Sequence, residues 1–71
     1  MAKYYIKKNG KTLYVKNIDY ANGKLEFTTD VGEAYKGRDG FYANATKDFL
    51  RRGFSEEYPE VADLKCTDTY Y

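Results

Sequence analysis

The sequence contains no histidine and no tryptophan, and it has only one cysteine, one serine and one proline. Histidine is the commonest general base and the commonest metal ligand in proteins, so its absence removes the most familiar catalytic and metal-binding arrangements. A single cysteine excludes an internal disulfide, and neither it nor the serine has a histidine to activate it as a nucleophile. The composition therefore predicts a protein without enzymatic activity, without a metal site and without a cofactor.

Long hydrophobic runs are also missing. A lysine at position 3 precedes any apolar stretch that could form a signal peptide, and no segment approaches the roughly 18 apolar residues of a membrane span. The single cysteine, Cys66, is typical of a reducing compartment, because small secreted domains usually carry several disulfides. We therefore expect a cytoplasmic protein with no membrane association.

The 71 residues predict a single small domain over residues 1–71. With 42% hydrophobic residues and a net charge of only +1, the chain is unlike a disordered protein and is expected to fold. A core of this size gives marginal stability, and an exposed edge strand also permits a homodimer formed by strand pairing.

Two Asn-Gly pairs, Asn9-Gly10 and Asn22-Gly23, each lie between residues that favour strands. Both residue types tolerate the positive φ angles of a two-residue type I′ turn, so three consecutive antiparallel strands are predicted. Counting outward from the first turn gives pairs from Lys8–Lys11 to Lys3–Lys16, with Tyr5 opposite Tyr14. Counting from the second turn gives pairs from Ala21–Lys24 to Asn17–Thr28.

The two predicted hairpins disagree about which side of the middle strand faces the core. The first places the odd-numbered Leu13 and Val15 on the apolar side, whereas the second places the even-numbered Ile18 and Tyr20 there. Side chains alternate along a regular strand, so these four residues share one face only if the register is reset. We therefore predict a β-bulge or strand break near Lys16-Asn17.

Apolar residues at helical spacing predict a helix over about residues 40–52. They are Phe41, Tyr42, Ala45, Phe49 and Leu50. Asp39 is the predicted cap, and Gly53 the predicted left-handed stop. Residues 31–40 are expected to be a connection with one helical turn, and residues 61–71 are compatible with a last strand. The fold class is therefore α+β: a three-stranded antiparallel meander, one helix packed on one face, and an optional fourth strand.

The pattern Lys3-Tyr4-Tyr5-Ile6-Lys7, Gly10-Lys11 and Leu25-x-Phe27-Thr28-Thr29-Asp30, with an alanine at 34 and a helix behind it, resembles small uncharacterised phage-encoded proteins of Gram-positive bacteria. The resemblance covers about residues 3–52. It implies a phage or prophage accessory protein in the host bacterial cell, a class that includes inhibitors of host defences such as anti-CRISPR proteins. It implies no catalytic residues.

Nine tyrosines are too many for one small core, so some of them must be exposed, where they are suited to interfaces. The first functional hypothesis is a noncatalytic binder of a host or phage protein, and specifically an inhibitor of a host protein, such as a CRISPR-type nuclease, that acts by occlusion. The candidate contact residues are tyrosines, arginines and the acidic turn that follows the helix. They are Tyr35, Arg51, Arg52, Glu56, Glu57, Tyr58, Glu60, Asp63 and Tyr70.

The alternative hypothesis is a weak single-stranded nucleic-acid binder that uses the sheet face opposite the helix. Residues 1–25 hold six lysines and one aspartate, a net charge of +5 that leaves −4 for the rest of the chain. In this hypothesis two paired tyrosines stack on bases while lysines contact phosphates. The candidate residues are Lys3, Tyr5, Lys7, Tyr14 and Lys16.

Overall fold

The computed structural model describes residues 1–67. Its regular elements are the strands β1 (Tyr4–Lys8), β2 (Lys11–Asp19), β3 (Lys24–Thr28) and β4 (Lys65–Cys66), the helix α1 (Phe41–Gly53), and two short 3-10 helices at Val31–Glu33 and Pro59–Asp63. The strands form a four-stranded antiparallel sheet in the order β3-β2-β1-β4, with α1 packed against it. This confirms the predicted α+β class, including the fourth strand. Within residues 1–67, no helix is long and apolar enough to cross a membrane.

The first hairpin has the predicted turn. Asn9 and Gly10 have φ angles of 52° and 78°, the left-handed conformation that a type I′ turn requires at both positions. The ladder runs from Lys8–Lys11 to Tyr5–Tyr14, as predicted, and ends there. The local preference of two turn residues was therefore enough to set this register.

The predicted pairs beyond Tyr5–Tyr14 are wrong, because another segment occupies that part of β2. The amide of Tyr35 donates to the carbonyl oxygen of Val15 at 2.8 Å. The backbones of Ala2 and Gly37 exchange two hydrogen bonds of 3.0 and 2.8 Å. Residues 35–37 therefore lie beside both β2 and the N-terminus, where the sequence predicted Tyr4–Val15 and Lys3–Lys16 pairs.

The second hairpin differs from the prediction by two residues. Asp19 lies opposite Lys24, so the turn contains residues 20–23 rather than only Asn22 and Gly23. The reason is the Asp19 side chain, which accepts hydrogen bonds from the Asn22 amide at 3.2 Å and from its side chain at 2.8 Å. These bonds also lower the pKa of the Asp19 carboxyl. Of Asn22 and Gly23, only Gly23 has a positive φ angle, 65°, so these two residues do not form a type I′ turn.

The predicted bulge is confirmed. The register between β2 and β3 shifts between Val15, which lies opposite Phe27, and Asn17, which lies opposite Glu26. Lys16 is therefore the extra residue. The register of the second hairpin differs from the predicted register by two residues. Because side chains alternate with a period of two, each residue still points to the predicted side of the sheet.

The core lies between the inner face of the sheet and α1. Its largest fully buried side chains are Tyr4, Leu50, Leu64, Val15 and Val61. From α1 only Ala43 and Leu50 are buried, so of the five apolar residues whose spacing predicted the helix, only Leu50 lies in the core. Phe41, Tyr42 and Phe49 are exposed. The sheet already supplies large residues, and the small Ala43 side chain lets the helix pack against them.

Both predicted ends of the helix need correction. The N-cap is Gly40, which makes no side-chain cap, while the carboxylate of Asp39 lies 3.1 Å from the N-terminal amine. Gly53 is the last helical residue and lacks a positive φ angle. The C-cap is Phe54, which is buried in the core and whose amide donates to the carbonyl of Leu50. The position of Phe54 in the core, rather than a left-handed glycine, therefore marks the end of α1.

Tyr4 gives a first testable prediction. Its ring is fully buried, and among the described residues its hydroxyl has no hydrogen-bond partner of good geometry. Burial raises the pKa of this hydroxyl, and the nearby Thr46 side chain offsets part of that rise. An unsatisfied buried hydroxyl costs about 1–3 kcal/mol, so we expect Tyr4→Phe to raise the free energy of unfolding by about 1 kcal/mol in urea denaturation.

The matched control is Tyr5→Phe, because Tyr5 is the next residue on β1 and is only half-buried. We expect its free energy of unfolding to change by less than about 0.5 kcal/mol. A clear loss of stability in Tyr4→Phe would show that the hydroxyl is paired in solution.

Candidate functional site

The acidic turn after the helix is partly neutralised by lysines from the two hairpins. The Glu57 carboxylate lies 3.2 Å from the Lys24 ammonium, and the Glu60 carboxylate lies 3.4 Å from the Lys8 ammonium. The bond to Glu57 raises the pKa of Lys24. The pKa of Glu60 is lowered mainly by a backbone hydrogen bond and further by Lys8. The basic first third of the chain therefore folds onto the acidic last third, which weakens this turn as a source of steering charge.

Two of the predicted contact residues are structural. The Nε and Nη2 atoms of Arg51 donate to the carbonyl oxygen of Leu64 at 2.9 and 2.6 Å. The hydroxyl of Tyr58 accepts from the amide of Leu25 at 3.1 Å, and its ring packs edge-on against Phe27. Both side chains are half-buried, so they connect elements of the fold rather than offering free surface.

The other predicted contact residues are dispersed over the chain. Those exposed in the structure are Tyr35, Arg52, Glu56, Glu57 and Asp63. Glu60 is half-buried beside Lys8. Tyr70 lies outside the described residues. The five exposed residues come from four different segments, whereas neighbouring residues of one element would form a continuous surface.

The exposed side of α1 carries such a surface, here called the helix stripe: Phe41, Tyr42, Ala45 and Phe49. The exposed fractions of Phe41 and Phe49 are 77% and 49%. Their spacing of i, i+1, i+4 and i+8 puts them along one side of a helix. Tyr20 from the second turn extends the stripe, with its ring centre 5.7 Å from that of Phe49.

Arginines border the helix stripe. The guanidinium carbon of Arg38 lies 4.6 Å from the centre of the Tyr42 ring, within the range of a cation–π contact. Arg52, which is exposed, lies on the same side of α1 as Phe41 because the two are three turns apart. Helical spacing picked out the stripe residues in the sequence, but it did not predict that they face away from the core. A second set of apolar residues also has helical spacing, and this set forms the buried side. It consists of Ala43, Leu50 and Phe54, at i, i+7 and i+11.

The opposite side of the molecule is the outer sheet face, formed by side chains that point away from α1. In register across the four strands lie Lys65, Tyr5, Tyr14 and Thr28. The Tyr5 and Tyr14 ring centres are 6.0 Å apart with an interplanar angle of 53°. Lys7, opposite Thr12, and Lys3 lie on the same side because each is two residues from Tyr5. The Tyr5–Tyr14 pairing is as predicted from the sequence, whereas the contribution of Lys65 was not predicted.

Lys16 does not join the outer sheet face as a free cation. Its ammonium lies 3.9 Å from the carboxylate of Glu33, which also accepts a hydrogen bond from the hydroxyl of Thr28. Next to Tyr14, an open groove of about 490 Å³ is lined by Lys11, Thr12, Tyr14, Thr29 and Val31. The groove extends the outer sheet face at the end of β3.

Across residues 1–67, no three histidine, cysteine, aspartate or glutamate side chains are grouped so that they could hold a metal ion. Cys66 is buried in the core. Comparison of the chain with protein-family models, curated proteins and solved structures gives no significant match. The candidate sites among the described residues are the helix stripe and the outer sheet face.

Proposed function

We propose that this protein is a noncatalytic binding module that acts by covering a surface of a larger protein. The observation that carries the proposal is the helix stripe, where aromatic rings remain exposed on a helix that buries Ala43 and Leu50 instead. Contiguous exposed apolar surface on a small domain is typical of an interaction site, and large rigid rings are the usual anchors of an interface.

The surroundings of the helix stripe favour a particular kind of partner. Arg38 and Arg52 lie at its border, while Asp48 is the acidic residue nearby on α1. A fitting partner therefore offers an apolar recess for the Phe41 ring and carboxylates at the rim of that recess. Arginines at the border of the stripe speed association with a partner whose rim is acidic. They repel a partner whose rim is basic.

The resemblance of residues 3–52 to phage accessory proteins extends the proposal to a host bacterial protein, and we propose a defence nuclease of the CRISPR type as the target class. Inhibition by occlusion needs surface contact and no chemistry, which agrees with a chain that lacks histidine and buries its single cysteine. The proposed partner-binding surface is the helix stripe together with Arg52, rather than the dispersed set predicted from the sequence.

The test begins with capture of a partner on the immobilised full chain from a bacterial lysate, followed by identification and purification of that partner. Titration should then show that Phe41→Ala weakens binding by about thirtyfold, as expected when the anchor ring of an interface is removed. If the partner is a nuclease, equimolar protein should also block its cleavage of DNA or RNA.

The matched control is Tyr35→Ala, which removes an exposed ring outside the helix stripe. It should leave the affinity for the partner nearly unchanged. Equal affinity of the Phe41→Ala and wild-type proteins would contradict the proposal. So would a stripe that is covered by a second copy of the chain, detected as a dimer in sedimentation that Phe41→Ala converts to a monomer.

A further inference from the structure

We infer that the outer sheet face binds single-stranded nucleic acid, at a site separate from the helix stripe. The central feature is the pair of rings from Tyr5 and Tyr14, which are in register on adjacent strands with their centres 6.0 Å apart. Tyrosine rings on an exposed sheet face provide planar surfaces on which unpaired bases stack, without preference for any one base.

The charges around this tyrosine pair are arranged selectively. Of the six lysines in residues 1–25, Lys8, Lys16 and Lys24 each lie within 4.0 Å of a glutamate. The other three are Lys3, Lys7 and Lys11, and within residues 1–67 none of them forms an ion pair. Among these six lysines, those without an ion pair to a described residue are therefore Lys3 and Lys7, which flank Tyr5, and Lys11, which lines the groove beside Tyr14.

These lysines lie near the two rings, where they can contact the phosphates of a bound nucleic-acid strand. Lys7 on β1 and Lys3, which immediately precedes β1, lie on either side of Tyr5, each about 7 Å away at the rise of an extended chain. Lys65 lies opposite Tyr5 on β4. Ammonium groups on both sides of a stacking surface can contact successive phosphates of one strand. No second copy of the chain is needed for this arrangement.

The groove beside Tyr14 extends the surface available to a nucleic-acid strand. It holds about 490 Å³ and presents Lys11 together with the hydroxyls of Thr12 and Thr29. A base stacked on Tyr14 would thus have polar groups and a cation within reach. At the opposite end of the sheet the register places Asp19, Lys24 and Glu26 on the outer face, and the Lys24 ammonium is paired with Glu57, so two carboxylates remain there to repel phosphates. These carboxylates favour a path for the nucleic acid over the half of the sheet near the first hairpin.

A single strand suits this surface better than a duplex. In a duplex the faces of the bases are stacked on each other, so the rings of Tyr5 and Tyr14 cannot reach them. The lysines alone would bind a duplex only through its phosphates. The rings are thus the groups that should distinguish the two forms.

The decisive experiment measures the binding of fluorescently labelled oligo(dT) and oligo(U) to the full chain by anisotropy over a range of salt concentrations. We expect binding that weakens as salt rises. The double variant Tyr5→Leu/Tyr14→Leu should reduce the affinity by about tenfold or more, because stacking is lost while apolar volume is kept. Tyr42→Leu, on the helix stripe, is the matched control and should bind like the wild type.

The lysines have their own paired test. Lys7→Gln should reduce the slope of log affinity against log salt by about 0.7, the value for one phosphate contact to a single strand. Lys24→Gln removes a lysine that is bound to Glu57, and it should leave the slope unchanged. Both lysines are exposed and outside the core, so these variants decide the question even if the tyrosine double variant fails to fold by circular dichroism.

Three results would overturn the inference. They are no binding of either oligonucleotide at low salt, equal affinity of the folded tyrosine variant and the wild type, and duplex binding as tight as that of single strands. None of them bears on the helix stripe, since the variants lie on opposite sides of the molecule. Conversely, loss of partner capture in Phe41→Ala should leave oligonucleotide binding intact.

Discussion

Leu50→Ala is expected to lower the free energy of unfolding by about 2–5 kcal/mol, the range for removing a fully buried leucine. Leu50 is one of the five largest fully buried side chains and the larger of the two buried residues of α1. Its loss leaves a cavity between the helix and the rest of the core. Small domains have only about 5–15 kcal/mol of stability in total, so this one change should remove a large part of it.

Phe41→Ala is the matched control for Leu50→Ala. It removes a larger apolar side chain from the same helix, but that side chain is 77% exposed. We therefore expect its free energy of unfolding to change by less than about 0.5 kcal/mol. Urea denaturation followed by far-ultraviolet circular dichroism measures both. Equal destabilisation by the two changes would mean that the helix buries its aromatic side, and it would remove the basis for the proposed function.

Arg51→Ala is expected to lower the free energy of unfolding by about 1.5–3 kcal/mol, the range for hydrogen bonds that involve a charged group. The guanidinium donates twice to the carbonyl oxygen of Leu64, just before β4. This contact ties the last turn of α1 to the edge strand. Without it, a partly buried carbonyl loses both donors, and the alkyl part of the side chain no longer covers the core edge.

Arg52→Ala provides the comparison for Arg51→Ala, because it removes the same side chain one residue later at an exposed position. Its free energy of unfolding should change by less than about 0.5 kcal/mol. Arg51→Lys should recover only part of the lost stability, since an ammonium cannot reproduce the two-pronged contact of the guanidinium. A stability of Arg51→Ala equal to that of Arg52→Ala would show that the contact with Leu64 contributes nothing in solution.

The outer sheet face was largely predictable from the sequence. The Asn9-Gly10 turn decides which residues of β1 and β2 face each other, and alternation then places Tyr5 and Tyr14 on one side. Both steps depend on residues close together in the chain. The contribution of Lys65 was not predictable, because β4 is only two residues long and joins β1 from more than fifty residues away.

The helix stripe was only half predictable. Helical spacing identified the element over 41–53 to within a residue at each end. It did not decide which side is buried, because aromatic residues on one side and Ala43 with Leu50 on the other both satisfy the period. The choice depends on the shape and volume of the sheet face beneath the helix, which no local pattern describes. For the same reason Arg51 and Tyr58, which resemble surface anchors in the sequence, proved to be structural.

The sequence by itself determined the α+β class, the first hairpin, the bulge at Lys16 and the location of the helix. Each follows from backbone preferences or from alternation over a few residues. Only the tertiary structure decided which aromatic rings are exposed and which lysines remain unpaired. Both outcomes depend on contacts between distant segments, since burial is set by the packing of whole elements and the charge of a lysine is neutralised by whichever carboxylate the fold brings near it.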